Sequence, residues 1–347
     1  MEKTSSLSIS RPYYSPKELS YLHSKTIADS KKVIYNQRKH QVYQYLFQII
    51  KVLKLPLKVL NTSMIYYQKF YLFNIFEEEF EDFSNIEKSM ELDPFNVSLA
   101  SLFLACKNED CIKKLRDILL VANKIKDNQI EENFIELQRK IILGLEFKLL
   151  QILQFNFNNQ ISFSTDSLVL QFCKKINLNY KYSLFCWLVN FDLMLTPIGL
   201  TLPPHCIALA IIIISLNFKP NDLKTRELSS GVNENILDSL NPKDFKCPEK
   251  LVNEGILYIL DFYIHQYNLS ILNNYLPQIN EDLNKEQIFK FMNLKSKFNN
   301  LRTLNEHSID GNLLKQDESL SLFDYSISSK GTSRFINKRK RLLEEID

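Results

Sequence analysis

Glycine and proline are scarce in this chain: 6 and 11 among 347 residues. That excludes a turn-rich β architecture and favours long helices. Charge of one sign is lacking too. A formal net charge of +3 argues against a protein whose main business is coating nucleic acid, and no direct nucleic-acid binding is expected. The six cysteines (Cys106, Cys111, Cys173, Cys186, Cys206, Cys247) show no CxxC and no paired spacing. They read as buried reduced thiols, and neither a zinc site nor a disulfide framework is predicted. The histidines (His23, His40, His205, His265, His307) are scattered, and no Ser/His/acid grouping, phosphate-binding glycine loop or metal spacing accompanies them. Catalysis by this chain, a cofactor and a metal are therefore not expected; His205, beside Pro204, reads as a helix-start residue. Long apolar runs are missing as well. The most extended, Cys206 to Leu216, is too short to span a bilayer, and the polar N-terminus carries no signal peptide, so a soluble intracellular protein without membrane association is expected.

What is present is apolar and aromatic: 45% hydrophobic and 12% aromatic residues, enough for two domains with separate cores. The stretch Asn96–Lys107 is uncharged until its last residue and rich in small side chains, as suits a helix that others surround. Asp93-Pro94 supplies its cap and first turn. Upstream, Ser15-Pro16 followed by Glu18 marks the start of a short helix docked by Tyr13, Tyr14 and Leu19, with a polar linker predicted from there through about Tyr35. Helical spacing then runs through Val42–Leu53 and from Pro56 to about Phe76. Residues 77–93 hold eight acidic residues against one lysine and read as a solvated loop or frayed helix. Further helices are expected at about 112–126, 131–155, 166–177, 180–195, 202–216, 249–267 and 284–297. Residues 219–248 read as loop with at most one short helix, and the chain from Phe298 onward as a disordered tail.

The sequence repeats itself. Pro94 followed by VSLA matches Pro204 followed by IALA at an offset of 110, and Gly144 matches Gly255 at 111. YYQKF (66–70) and WLVNF (187–191) sit at offset 121, as if the acidic segment were inserted in the first copy only. The pattern points to a duplicated helical unit. Within the first copy, Glu146 is out of place: its helical neighbours Ile142, Leu143, Leu149 and Leu150 are all apolar, and no basic residue lies three or four positions away. It needs a partner from another element, and Lys107 at the end of the central helix is the candidate. Asp192, in the second copy, echoes it and is expected to bond to a neighbouring helix. By residue chemistry alone the Lys107–Glu146 pair is either a structural brace or a binding site.

At this point the residues resemble a cyclin. ACKNED (105–110) is similar to the cyclin-box motif in which a lysine ends the third helix before an acidic pair, and LEFKLLQILQFNF (145–157) to the fifth-helix motif. RPYYSPKEL, NTSMIYYQKFYLFNIF (61–76), CWLVNFDLMLTPIGLTLPPHCIALA (186–210) and FYIHQYNL (262–269) resemble the transcriptional type, the cyclin subunits of kinases acting on the heptad tail of RNA polymerase II. The resemblance implies an all-α fold of tandem cyclin boxes, two five-helix repeats with an N-terminal helix and a C-terminal helix and tail. The corresponding segments are 1–35 (extension), 36–160 (first box), 161–275 (second box) and 276–347 (C-terminal helix and tail). It also implies a regulatory subunit that binds and activates a cyclin-dependent kinase supporting transcription elongation. Lys107 and Glu146 would contact the kinase near its C-helix, a third (gamma) subunit would complete the complex, the polymerase tail would be an indirect partner and the nucleus the site of action. The methionine and tryptophan of the substrate-docking patch of cell-cycle cyclins have no counterparts, so such docking is not expected. Two alternatives stand beside this: a cyclin-fold general transcription factor that binds nucleic acid, and a helical scaffold without a kinase. The cluster Lys338, Arg339, Lys340, Arg341 reads either as a nuclear address or as solvated charge.

Overall fold

A computed structural model describes residues 13–77, 86–127, 131–153, 155, 157, 164–217, 237, 240–275, 281–300 and 303. All regular structure among them is helical. No helix among them is long and apolar enough to cross a membrane. The chain divides into two units, whose described residues lie within 1–159 and within 160–308.

The first unit contains α1 (Pro16–Thr26), α2 (Lys32–Leu53), α3 (Leu57–Phe73), α4 (Ile86–Leu92), α5 (Pro94–Asn108), α6 (Leu115–Ile125) and α7 (Glu132–Leu153). The expected start of α1 is seen in full. The Glu18 N–H donates to Ser15 Oγ at 3.2 Å and the Ser15 N–H to Glu18 Oε2 at 2.8 Å, a reciprocal capping box. The polar linker predicted up to Tyr35 is not there. Helix α1 continues to Thr26, one 3-10 turn spans Asp29–Lys31, and α2 begins at Lys32. The reason lies in aromatic packing that a polar-looking segment hides: Tyr35 is buried edge-on against Tyr71 and Phe76, and the Phe76 N–H donates to the Thr26 carbonyl at 2.9 Å. The described part of the acidic segment forms α4, where Glu87 and Glu91 lie within 3.5 Å of Lys140 and Lys148 on α7.

Helix α5 is the centre of this unit and packs most extensively on α3 and then α7. Every residue from Asn96 to Cys106 is buried. Its serines turn their hydroxyls back onto the helix, Ser98 Oγ donating to the Phe95 carbonyl at 2.7 Å and Ser101 Oγ to that of Val97 at 2.9 Å, so neither leaves an unpaired polar atom in the core.

The second unit contains α8 (Thr165–Lys175), α9 (Tyr180–Leu193), α10 (Ile198–Thr201), α11 (Pro204–Leu216), a 3-10 turn at Pro242–Phe245, α12 (Glu249–Gln266), α13 (Ile271–Tyr275) and α14 (Glu281–Phe298). Helix α11 repeats the role of α5: Cys206 to Ile212 are all buried, and α8, α9 and α12 surround it. Close approach is enabled by Gly255 on α12, where an added Cβ would meet Ala210 Cβ at 3.1 Å and Leu202 Cδ1 at 3.3 Å. Gly144, its counterpart in the sequence repeat, lies exposed on α7 with nothing within 4 Å of such a Cβ. The two glycines share a register and not a role.

Candidate functional site

Helix α5 loses its burial abruptly. Cys106 is fully buried and the next side chain, Lys107, is 45% exposed. Its Nζ lies 2.7 Å from Glu146 Oε1 on α7 and 4.0 Å from the centroid of the Phe103 ring one turn back. Glu146 is the buried member, its side chain 8% exposed. The carboxylate that lacked a partner within its own helix thus takes it from α5, and the charge pair sits where the core meets solvent.

The turn that follows is fixed by its own chemistry. Glu109 accepts from Thr62 Oγ1 at 2.7 Å and pairs with Lys58 Nζ at 3.3 Å, tying the end of α5 to α3. Asp110 takes a positive φ of 54° at the exposed turn, and the Cys111 N–H closes back on the Cys106 carbonyl at 2.9 Å. The acidic pair of the motif is therefore divided: one residue anchors the helix end and the other makes the turn.

The apolar neighbours of Glu146 divide between core and surface, and Phe147, beside it in sequence, lies outward. Ile142 and Leu149 are buried, whereas Leu143 is 41% and Phe147 56% exposed. Helix α7 thus carries apolar side chains beyond the face that the core requires. Their signal in the sequence is that Leu143 and Phe147, four residues apart, lie on a different strip from Ile142, Leu145, Leu149 and Ile152. A half-exposed cation held by a nearly buried carboxylate, next to exposed apolar side chains, can offer directional hydrogen bonds and an apolar contact to the same partner.

Asp192 behaves as expected of a buried acid. It accepts from Tyr263 Oη on α12 and from the backbone N–H groups of Ile271 and Leu272 at the start of α13. A grouping that spacing did not reveal is His205, Cys206 and Cys247, whose donor atoms all lie within 4.8 Å of one another. Two of the three are 41 residues apart in sequence, beyond the reach of any local motif. The basic cluster Lys338, Arg339, Lys340 and Arg341 lies outside the described residues.

Residues 11–158 match the family model described as "Cyclin, N-terminal domain". The chain is 29% identical over 296 residues to the CTD kinase subunit beta of Saccharomyces cerevisiae, covering 84% of this chain and 81% of the relative. It is 27% identical to the CTD kinase subunit beta of Schizosaccharomyces pombe, covering 78% and 72%. A chain of the crystal structure of the yeast RNA Pol II CTD kinase CTDK-1 complex superposes with a TM-score of 0.73 at 26% identity, covering 92% of this chain and 93% of that one. The all-α cyclin fold and the transcriptional-type resemblance agree with these relatives.

Proposed function

We propose that this chain is the regulatory cyclin subunit of a kinase complex that phosphorylates the C-terminal domain of RNA polymerase II in support of elongation. It is an activator without catalytic residues of its own. The observation that carries the reading is the Lys107–Glu146 pair at 2.7 Å, set beside exposed Leu143 and Phe147 in a unit matching the cyclin N-terminal domain. The names of the relatives, subunits of CTD kinases, supply the substrate class.

In this mechanism Lys107 and Glu146 bind main-chain groups near the regulatory C-helix of the kinase. The cyclin holds that helix inward, so that the active-site Lys–Glu pair of the kinase forms. Activation follows from higher affinity for the active conformer, the only way a binding partner shifts such an equilibrium. A third, gamma-type subunit completes the complex, and the polymerase tail is reached through the kinase. The complex works in the nucleus, with Lys338–Arg341 as the address. Co-purification of the full chain with its kinase, followed by phosphorylation of a heptad-repeat peptide, tests the assignment: the kinase should be inactive alone and active in the complex. A chain that captures no kinase sinks it. A reporter fused to residues 330–347 should enter the nucleus; an even distribution removes that signal.

A further inference from the structure

The second unit contains a group of side chains that the kinase-binding reading does not use. We propose that His205, Cys206 and Cys247 form a zinc site that staples the start of α11 to the segment leading into α12.

The three donor atoms lie within 4.8 Å of one another. Around a tetrahedral zinc with metal–ligand distances of about 2.0–2.3 Å, donor atoms stand roughly 3.3–3.8 Å apart. The cluster thus needs side-chain adjustments on the order of an ångström to close on the ion. Its chemistry also selects the metal. Two thiolates and a neutral imidazole favour zinc over hard oxygen-seeking cations, and their charge cancels that of the ion, so the loaded site is neutral where it is buried.

Burial is graded in the direction that loading requires. Cys206 is 0% and Cys247 4% exposed, while His205 is partly open to solvent. The ion would reach the site from the imidazole side, and water would complete a four-coordinate shell. The two thiols hydrogen-bond to each other, and the Cys247 S–H also faces the carbonyls of Phe245 and His205 at 3.4 and 3.5 Å; on loading, both protons leave and the sulfurs turn to the metal. Among the described residues no group hydrogen-bonds the His205 ring. The ligands come from α11 and from Cys247, two residues past the 3-10 turn at Pro242–Phe245, so the ion would close a loop of some forty residues and constrain the unfolded chain.

The experiment uses the reduced full chain, stripped of metal and then titrated with zinc or with cobalt as its spectroscopic stand-in. The expected result is one ion per chain, with the cobalt form showing thiolate-to-metal charge transfer and tetrahedral ligand-field bands, and with zinc raising the thermal midpoint. Cys206→Ser and Cys247→Ser should each abolish the charge-transfer band or halve it. His205→Ala, at a partly exposed position, should weaken zinc binding about 10-fold or more. Cys173→Ser should leave binding unchanged. No ion taken up by the folded reduced chain overturns the proposal, as does uptake that His205→Ala and Cys247→Ser do not alter. Cys206 and Cys247 found joined as a disulfide in the native chain also overturn it.

Discussion

The carboxylate of Asp192, with 0% exposure, accepts the hydroxyl of Tyr263 at 2.9 Å and so joins α9 to α12 at the heart of the second unit. The same side chain takes the N–H groups of Ile271 and Leu272, the first two of α13, while Ser270 Oγ takes that of Asn273 at 3.1 Å. Asp192 therefore caps, from a distant part of the chain, a helix too short to hold itself. Asp192→Ala leaves a phenol and two N–H donors without an acceptor and should cost about 3–5 kcal/mol. Tyr263→Phe, which keeps the caps, should cost about 1–2 kcal/mol. Urea denaturation distinguishes them, and equal losses would mean that the caps contribute nothing.

Burial pushes the Asp192 carboxyl up from an ordinary 3.8 to about 7, with the hydrogen bonds from Ile271, Tyr263 and Leu272 acting in the opposite direction. An acid whose pKa rises on folding binds its proton more readily in the folded state. Its contribution is full below the unfolded pKa and is lost as the pH rises through the folded one. Stability relative to Asp192→Asn, which does not titrate, should therefore fall between about pH 4 and pH 7 and level off above. Denaturation midpoints of both proteins at pH 5 and pH 8 provide the check; parallel changes would refute it.

The Lys107–Glu146 pair is asymmetric, and its variants should be too. Lys107→Ala strands a nearly buried carboxylate and should cost about 1–3 kcal/mol of stability. Glu146→Ala frees a lysine that already reaches water and should cost less than about 1 kcal/mol. Both should reduce kinase capture at least about 10-fold, as one lost charge-assisted contact implies. A folded Glu146→Ala protein that binds and activates the kinase normally would show that the pair is only a brace.

The two glycines of the repeat should respond with opposite signs. Gly144→Ala, on an exposed helix face, should stabilise by about 0.5–1 kcal/mol through helix propensity. Gly255→Ala gains the same propensity but drives a methyl into Ala210 and Leu202, and should lower stability by about 1 kcal/mol net. Thermal midpoints of the two variants moving in the same direction would contradict the packing described.

A buried amide chain joins three helices of the first unit. Gln138 on α7 donates to Asn96 Oδ1 on α5 at 2.8 Å and accepts from Asn123 Nδ2 on α6 at 2.8 Å. Asn96 in turn donates to the Met90 carbonyl at 2.9 Å. Gln138→Ala opens a void and removes a partner from each neighbour, and should cost about 2–4 kcal/mol. A change below 1 kcal/mol on chemical denaturation would show that water replaces the amide.

What could be read from the sequence was whatever local order encodes. The central helix announced itself by a charge-free run, α1 by its capping box, and Glu146 by an apolar setting in which it had no partner of its own. What could not be read depends on contacts made across the chain. Tyr35 looked like the end of a linker because the rings that bury it, Tyr71 and Phe76, arrive from forty residues further on. Gln138 carries no local signal, and only the fold brings Asn96 and Asn123 to it. Periodicity marked Leu143 only as an apolar neighbour of Glu146; whether it lies inside or out depends on helix rotation, which neighbouring helices set.

The placement of Lys107 over Phe103 has an entropic side. A free lysine samples many rotamers, and fixing it at an interface costs up to about 2 kcal/mol of side-chain entropy. Here the ring beneath and the carboxylate beside it restrict the ammonium before any partner arrives. If the proposed kinase contact uses this ammonium, that ordering cost is already met in the free chain. Phe103→Leu should leave the charge pair in place yet weaken capture of the proposed kinase partner, because the ammonium must then be ordered on binding.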